Sequence, residues 1–162
     1  MQIRIRTTAL CLCVTASVFL SAGCSDDPAG PVDPADLVFA PALNVNLAAM
    51  TRSSSGLYMQ DEVVGTGALA ARGSTVTVDY TGWLHNGTQF DTSAGKSPFT
   101  VTNLGSAVVI AGWNEGLIGM RVGGRRLLVI PSHLGYGAAG AGNGAIPPHA
   151  TLVFRVDLRS VR

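Results

Sequence analysis

The residue types that drive covalent catalysis are few in this 162-residue chain, and their placement argues against using them. His85, His133 and His149 fall in three separate turn-like stretches without metal-ligand spacing, so no metal centre is expected. Ser132-His133 lacks the glycine-flanked elbow that would expose a nucleophilic serine. Cys11, Cys13 and Cys24 all precede residue 25, which leaves the rest of the chain without a thiol nucleophile, a disulfide or a cysteine zinc site. Gly135-Tyr136-Gly137-Ala138-Ala139-Gly140 spells a dinucleotide-binding glycine pattern. That pattern should open a helix inside a βαβ unit. Here glycines continue to Gly144 and Pro147-Pro148 follow, so a mobile flap is expected and no nucleotide cofactor. Eleven basic against ten acidic side chains give a net charge of +1, too little to draw in nucleic acid. The six arginines from Arg121 to Arg162 read as solvated strand and turn residues. What remains is aromatic, and any one of these rings taken alone reads as core.

The elements that would position such rings are mostly strands. Twenty glycines and many Val and Thr residues suggest strands joined by tight turns. Leu57 to Val64 forms one strand pattern, ended by Gly65-Thr66-Gly67. Ser74 to Leu84 forms a second, with Val76, Val78 and Tyr80 on one face and Thr75, Thr77 and Asp79 on the other. Asn86-Gly87 signals a hairpin turn. Phe90 and the 98–101 stretch suggest shorter pieces, Arg125 to Ile130 another strand, and Thr151 to Val161 a final one. Trp113, Leu117 and Met120 recur at helical spacing, which predicts one helix over Ala111 to Met120. The expected class is α+β, a curved antiparallel sheet half-wrapped around one short helix.

The first fifty residues have a different character. Arg4 and Arg6 precede an apolar run from Ala9 to Leu20, too short for a comfortable membrane span. The run ends in Leu20-Ser21-Ala22-Gly23-Cys24, which resembles a bacterial lipoprotein lipobox with the leucine one position early. The expectation is a signal peptide over residues 1–23 and acylation of Cys24. The chain would be exported and lipid-anchored to the bacterial envelope. Loss of Arg4 and Arg6 leaves nine basic side chains against ten acidic. Residues 25–36, with three prolines and four aspartates, read as a tether. Residues 37–50 carry Leu37, Val38, Phe39, Leu43, Val45 and Leu47 and are expected to pack along the domain edge. The alternative is a loose partner-binding arm. Residues 51–162 would then form the folded domain, and a chain starting near Thr51 is expected to keep its activity.

Five segments make this domain specific. They are Val78-Asp79-Tyr80-Thr81-Gly82, Gly87-Thr88-Gln89-Phe90-Asp91, Val109 to Leu117, Leu134-Gly135-Tyr136-Gly137 and Ile146 to Phe154. In order and spacing they resemble the FKBP-type peptidyl-prolyl cis–trans isomerases from about Leu57 to Leu158. The resemblance implies an apolar pocket between sheet and helix. Trp113 would floor it, with Tyr80, Phe90, Phe99 and Phe154 as walls and Val109, Ile110 and Ile146 completing the lining. Asp91 and Tyr136 would stand at its edge, and Ile110 would offer its backbone N–H to a ligand carbonyl. Tyr80, Phe90, Asp91, Tyr136 and Phe154 are the residues expected to carry catalysis. Ala107 departs from the glycine common at that position, and the Gly137–Ile146 loop is longer and richer in Gly and Ala than in compact relatives.

The implied partners are proline-containing polypeptides and macrolide inhibitors, with membrane contact only through Cys24. No long helical dimerisation segment accompanies the domain, so a monomer is expected. The alternative function on the same fold is a proline-peptide-binding holdase with little turnover.

Overall fold

Alternation decides which side of each strand is buried, and in this chain both sides find a cover. The computed structural model describes residues 30–162; the leader reading and Cys24 fall outside them. The strands are β1 (Thr51–Arg52), β2 (Tyr58–Val63), β3 (Val76–Leu84), β4 (Gln89–Thr92), β5 (Phe99–Val101), β6 (Arg125–Ile130) and β7 (Leu152–Val161), and the one α-helix among the described residues is α1 (Ala111–Gly116). They form one antiparallel sheet in the order β1-β2-β6-β7-β3-β4, with β5 also paired to β3. Irregular registers in β2 and β3 bend it. This is the expected curved sheet around a short helix.

One face carries Val76, Val78, Leu128, Ile130, Leu152, Phe154, Val156 and Leu158, which pack with Trp113, Leu117 and Met120 from the helix segment. The helix sits very close to β6 because its contact face is glycine. A Cβ at Gly112 would lie 2.5 Å from Ile130 Cγ2, and one at Gly116 would lie 2.8 Å from Leu128 Cδ2.

The helix stops at Gly116, a full turn earlier than the spacing predicts. Gly119 turns at positive φ (+84°), and its N–H bonds back to Ala70 while the Met120 carbonyl accepts from Ala70. Met120 is still buried, so it keeps its core place without being helical. The Gly116 and Ile118 carbonyls are capped by Arg126 Nη1 at 2.8 and 3.1 Å. Arg126 is therefore not the solvated strand residue expected. It is buried, with a two-point ion pair to Asp61 at 2.7 and 3.0 Å. Arg125, Arg155 and Arg159 do pair at the surface, with Asp157, Glu62 and Asp79.

The other sheet face carries Tyr58, Leu127, Val129, Val153 and Trp83. It is covered by residues 37–50, which contribute buried Leu43 and Met50 together with Phe39, Ala40, Val45 and Leu47. The arm is built from one-turn 3₁₀ helices at Pro41–Leu43 and Leu47–Ala49, a shape set by Pro41 and by Asn44 in the left-handed region (φ 53°). The tether reading of 25–36 differs from the structure in its second half. Pro34 is buried, Pro34–Asp36 forms another 3₁₀ turn, and Asp33 pairs with Arg52 at 3.0 Å. Composition there reports few apolar side chains, but proline buries its ring without losing further conformational freedom.

Candidate functional site

Strand β3 runs beneath the site and supplies two opposite things at neighbouring inner-face positions: a ring at Tyr80 and no side chain at Gly82. Gly82 pairs with Phe154 on one side and Asp91 on the other. A Cβ at position 82 would lie 2.7 Å from both the Phe154 and Phe90 rings. The missing side chain is what lets those rings meet, at 5.4 Å between centroids and 86° between planes. Isolated glycine inside a strand pattern is the signal that marks such a close approach.

Around this point the rings lock edge to face. Trp113 lies 5.1 Å from Tyr80, 5.4 Å from Phe154 and 5.9 Å from Phe99, each at close to a right angle. These are favourable quadrupole geometries and hold the rings in fixed relation. They enclose a concavity of about 240 Å³ lined by Tyr80, Phe90, Asp91, Phe99, Val108, Val109, Ile110, Trp113, Tyr136 and Phe154. Nine of the ten expected site residues thus line one depression. Ile146 does not line it. It is buried in the core behind, where its backbone exchanges two hydrogen bonds with Ala141 across the flap.

The polar groups are few and tied down. Asp91 Oδ2 accepts from the Tyr80 hydroxyl at 2.5 Å, and Oδ1 accepts from the Thr92 N–H at 2.8 Å. Lys96 Nζ lies 3.6 Å from Oδ1. Burial, and after it the bond to Asp91, hold the Tyr80 phenol above the ordinary tyrosine range, so it stays a neutral donor. The Ile110 N–H has no acceptor among the described residues, while its carbonyl takes the first N–H bonds of α1 from Trp113 and Asn114. Phe99 and Tyr136 stand half-exposed at the rim.

Two contributors carried no role in the sequence reading. Val108 is fully exposed on the lip, an apolar side chain held in water beside the concavity. Asn114 fixes that lip. Its Oδ1 accepts from the Gly105 and Ala107 N–H groups at 2.9 Å each, and its Nδ2 donates to the Ala107 carbonyl at 2.9 Å. Asn114 lies inside a quoted segment, but only the fold reveals that it ties the loop to the helix. His85, His133 and His149 stay apart from the concavity, and no group of three or more metal-ligating side chains occurs among the described residues.

Aromatic walls beside the unpaired Ile110 N–H suit the binding of a peptide without covalent chemistry. The profile of the FKBP-type peptidyl-prolyl cis–trans isomerase family matches residues 67–159, and the chain belongs to that family. The FK506-binding protein of Neisseria meningitidis serogroup B is 55% identical over 107 residues, covering 65% of this chain and 96% of that protein. The FK506-binding protein of Streptomyces anulatus is 45% identical over 106 residues, 65% of this chain and 86% of that one. Among solved structures, FkpA from Escherichia coli superposes with a TM-score of 0.62 at 41% identity over 70% of this chain and 52% of that chain. A peptidyl-prolyl isomerase from Pseudomonas syringae pv. tomato gives 0.62 at 37% identity over 70% and 80%. The chain is a peptidyl-prolyl cis–trans isomerase of this type.

Proposed function

We propose that the enzyme accelerates X–Pro rotation in exported polypeptides by stabilising the twisted amide in its aromatic concavity. The carrying observation is the convergence of Tyr80, Phe90, Phe99, Trp113 and Phe154 on one depression beside the unpaired Ile110 N–H. Amide resonance sets a rotation barrier of about 18–20 kcal/mol. Twisting the bond removes the resonance and lowers the carbonyl's polarity. A dry aromatic wall therefore disfavours the planar, dipolar amide relative to the twisted one. Every ~1.4 kcal/mol of that difference is worth about tenfold in rate. The proline ring lies over Trp113, the Ile110 N–H donates to a substrate carbonyl, and Tyr136 orients the backbone from the rim. Both Asp91 oxygens are already engaged, which supports a holding role toward Tyr80 and speaks against a general base.

An X–Pro isomerisation assay tests this reading. Turnover that Phe90→Ala abolishes while the protein stays folded supports it. Peptide binding without turnover in the wild-type chain would favour the holdase alternative. The FK506-type macrolide named in the relatives should compete with peptide and quench Trp113 emission, with Trp83 as background.

The chain's address is part of the same proposal. Cys24 carries lipid and anchors a monomer to the extracytoplasmic face of a bacterial envelope. Stable anchoring takes more than one acyl chain. Cys24→Ser should release the protein from membranes and remove the lipid mass; a wild-type chain that is soluble and lipid-free overturns the anchor.

A further inference from the structure

The β3–β4 hairpin carries two site residues, Phe90 and Asp91, on a four-residue strand at the end of the sheet. β4 pairs with β3 alone. The turn is closed by the Leu84 N–H to the Thr88 carbonyl and the Gly87 N–H to the Leu84 carbonyl, both at 2.9 Å. β3 is anchored to β7 up to Leu84, so the turn and the short edge strand β4 are the part of the hairpin whose place depends on what packs against it.

What touches this turn is the arm, which precedes the family match. The Ala40 N–H donates to the carbonyl of His85, the residue after β3, at 2.9 Å. At the turn itself, Gly87 faces Ala40 so closely that a Cβ on Gly87 would lie 3.0 Å from Ala40 Cβ. Phe39 and Ala40 pack in the outer cluster that includes Trp83, which is opposite Gln89 at the start of β4. The Arg155 guanidinium stacks 5.8 Å from the Trp83 ring while bonded twice to Glu62, and its Nη2 also reaches the Leu43 carbonyl at 3.4 Å.

We propose that Ala40 is a positioning residue, through which the arm holds the β3–β4 hairpin in register and so sets where Phe90 and Asp91 stand in the site. The proposal rests on the concavity being the site of isomerisation. Asp91 in turn fixes the Tyr80 hydroxyl, so a shift of the turn reaches two walls at once. Small displacements of positioning groups have large effects on rate.

The test uses two substitutions in the full chain, each disturbing a different part of the contact. Ala40→Leu drives a larger side chain against Gly87. Ala40→Pro keeps the backbone conformation, φ −58° and ψ 133°, which proline prefers, but replaces the N–H with a ring Cδ that presses on the His85 carbonyl. Leu47→Ala serves as control. It lies in the same outer cluster but makes no hydrogen bond to the hairpin. Three readouts are taken: kcat and KM on an X–Pro peptide, the thermal midpoint, and the amide NMR shifts of Phe90 and Asp91.

Both Ala40 variants should shift the Phe90 and Asp91 amides and lower kcat of the folded protein by about three- to tenfold, with KM less affected. Leu47→Ala should lower the thermal midpoint and leave kcat unchanged. Unmoved Phe90 and Asp91 amides in a folded Ala40 variant overturn the proposal. So do moved amides with unchanged kcat. If the wild-type chain itself shows no turnover, the site reading fails, and the amide shifts alone then decide whether the arm positions the hairpin.

Discussion

The two faces of one sheet solve the same burial problem by different means. The inner face, against α1, is packed mostly by segments that lie within the family match, with Leu57 from before it, and the site opens at its edge. The outer face is covered by residues 37–50, from before that match. Inner-face rings are large and locked at right angles, so they hold a shape. The outer cover is mostly aliphatic, is made of one-turn helices, and carries no cluster of locked rings. Substitutions of the partly buried rings that line the site should change turnover more than stability. Outer-face substitutions should do the reverse, except at the Ala40 contact.

The largest effect expected is from removing the outer cover altogether. A chain starting at Thr51 loses Leu43 and Met50, and burying such side chains is worth about 1.5–3 kcal/mol each. It also exposes Tyr58, Val129 and Val153. Its urea midpoint should fall steeply; a midpoint close to that of the longer chain would break the comparison.

Phe90→Ala comes next, with loss of turnover larger than the loss of stability, because the ring is only partly buried and lets water in when absent. Paired activity and unfolding measurements separate the two. Asn114→Ala frees the lip that carries Val108 to Ile110. Peptide KM should rise by several-fold while the chain stays folded, and Asn114→Asp should recover part of it by keeping the Oδ1 acceptor for the two N–H donors. Tyr136→Phe removes one hydroxyl from the rim, a loss of about 0.5–1.5 kcal/mol, or roughly two- to tenfold in kcat/KM.

The smallest effect at neutral pH concerns Tyr80. Its phenol holds its proton more tightly folded than unfolded, so the resulting stability is complete below the ordinary tyrosine value of about 10. It drains away as pH rises beyond that, because the unfolded chain then gives up the proton first. Unfolding curves from pH 8 to 11 should show this decline, and Tyr80→Phe should flatten it.

Much of the inner face was legible because it follows simple periods. Val76, Val78, Tyr80 and Leu152, Phe154, Val156, Leu158 alternate as a half-buried strand must, and β6 spans the residues expected of it. The helix end was not legible. Leu117 and Met120 keep helical spacing on the core side even though the chain has left the helix, so periodicity cannot see the stop that Gly119 imposes. Arg126 looks solvated as a charge in a strand pattern until Asp61 and the carbonyls of Gly116 and Ile118 are found around it. Ile146 had the right type for a lining residue, but its flap directs it into the core. Pro34 and the arm depend on contacts with strands far along the chain, which composition does not encode.

The position of β7 has a consequence for biosynthesis. This strand lies between β6 and β3, at the centre of the sheet, and pairs along its whole length with β3 some seventy-five residues earlier. Until β7 has been made, β3 and β6 have no common neighbour and neither cluster can close. Contacts this distant in sequence form slowly. A nascent chain of this protein therefore keeps both apolar faces of its sheet open until β7 has emerged and paired.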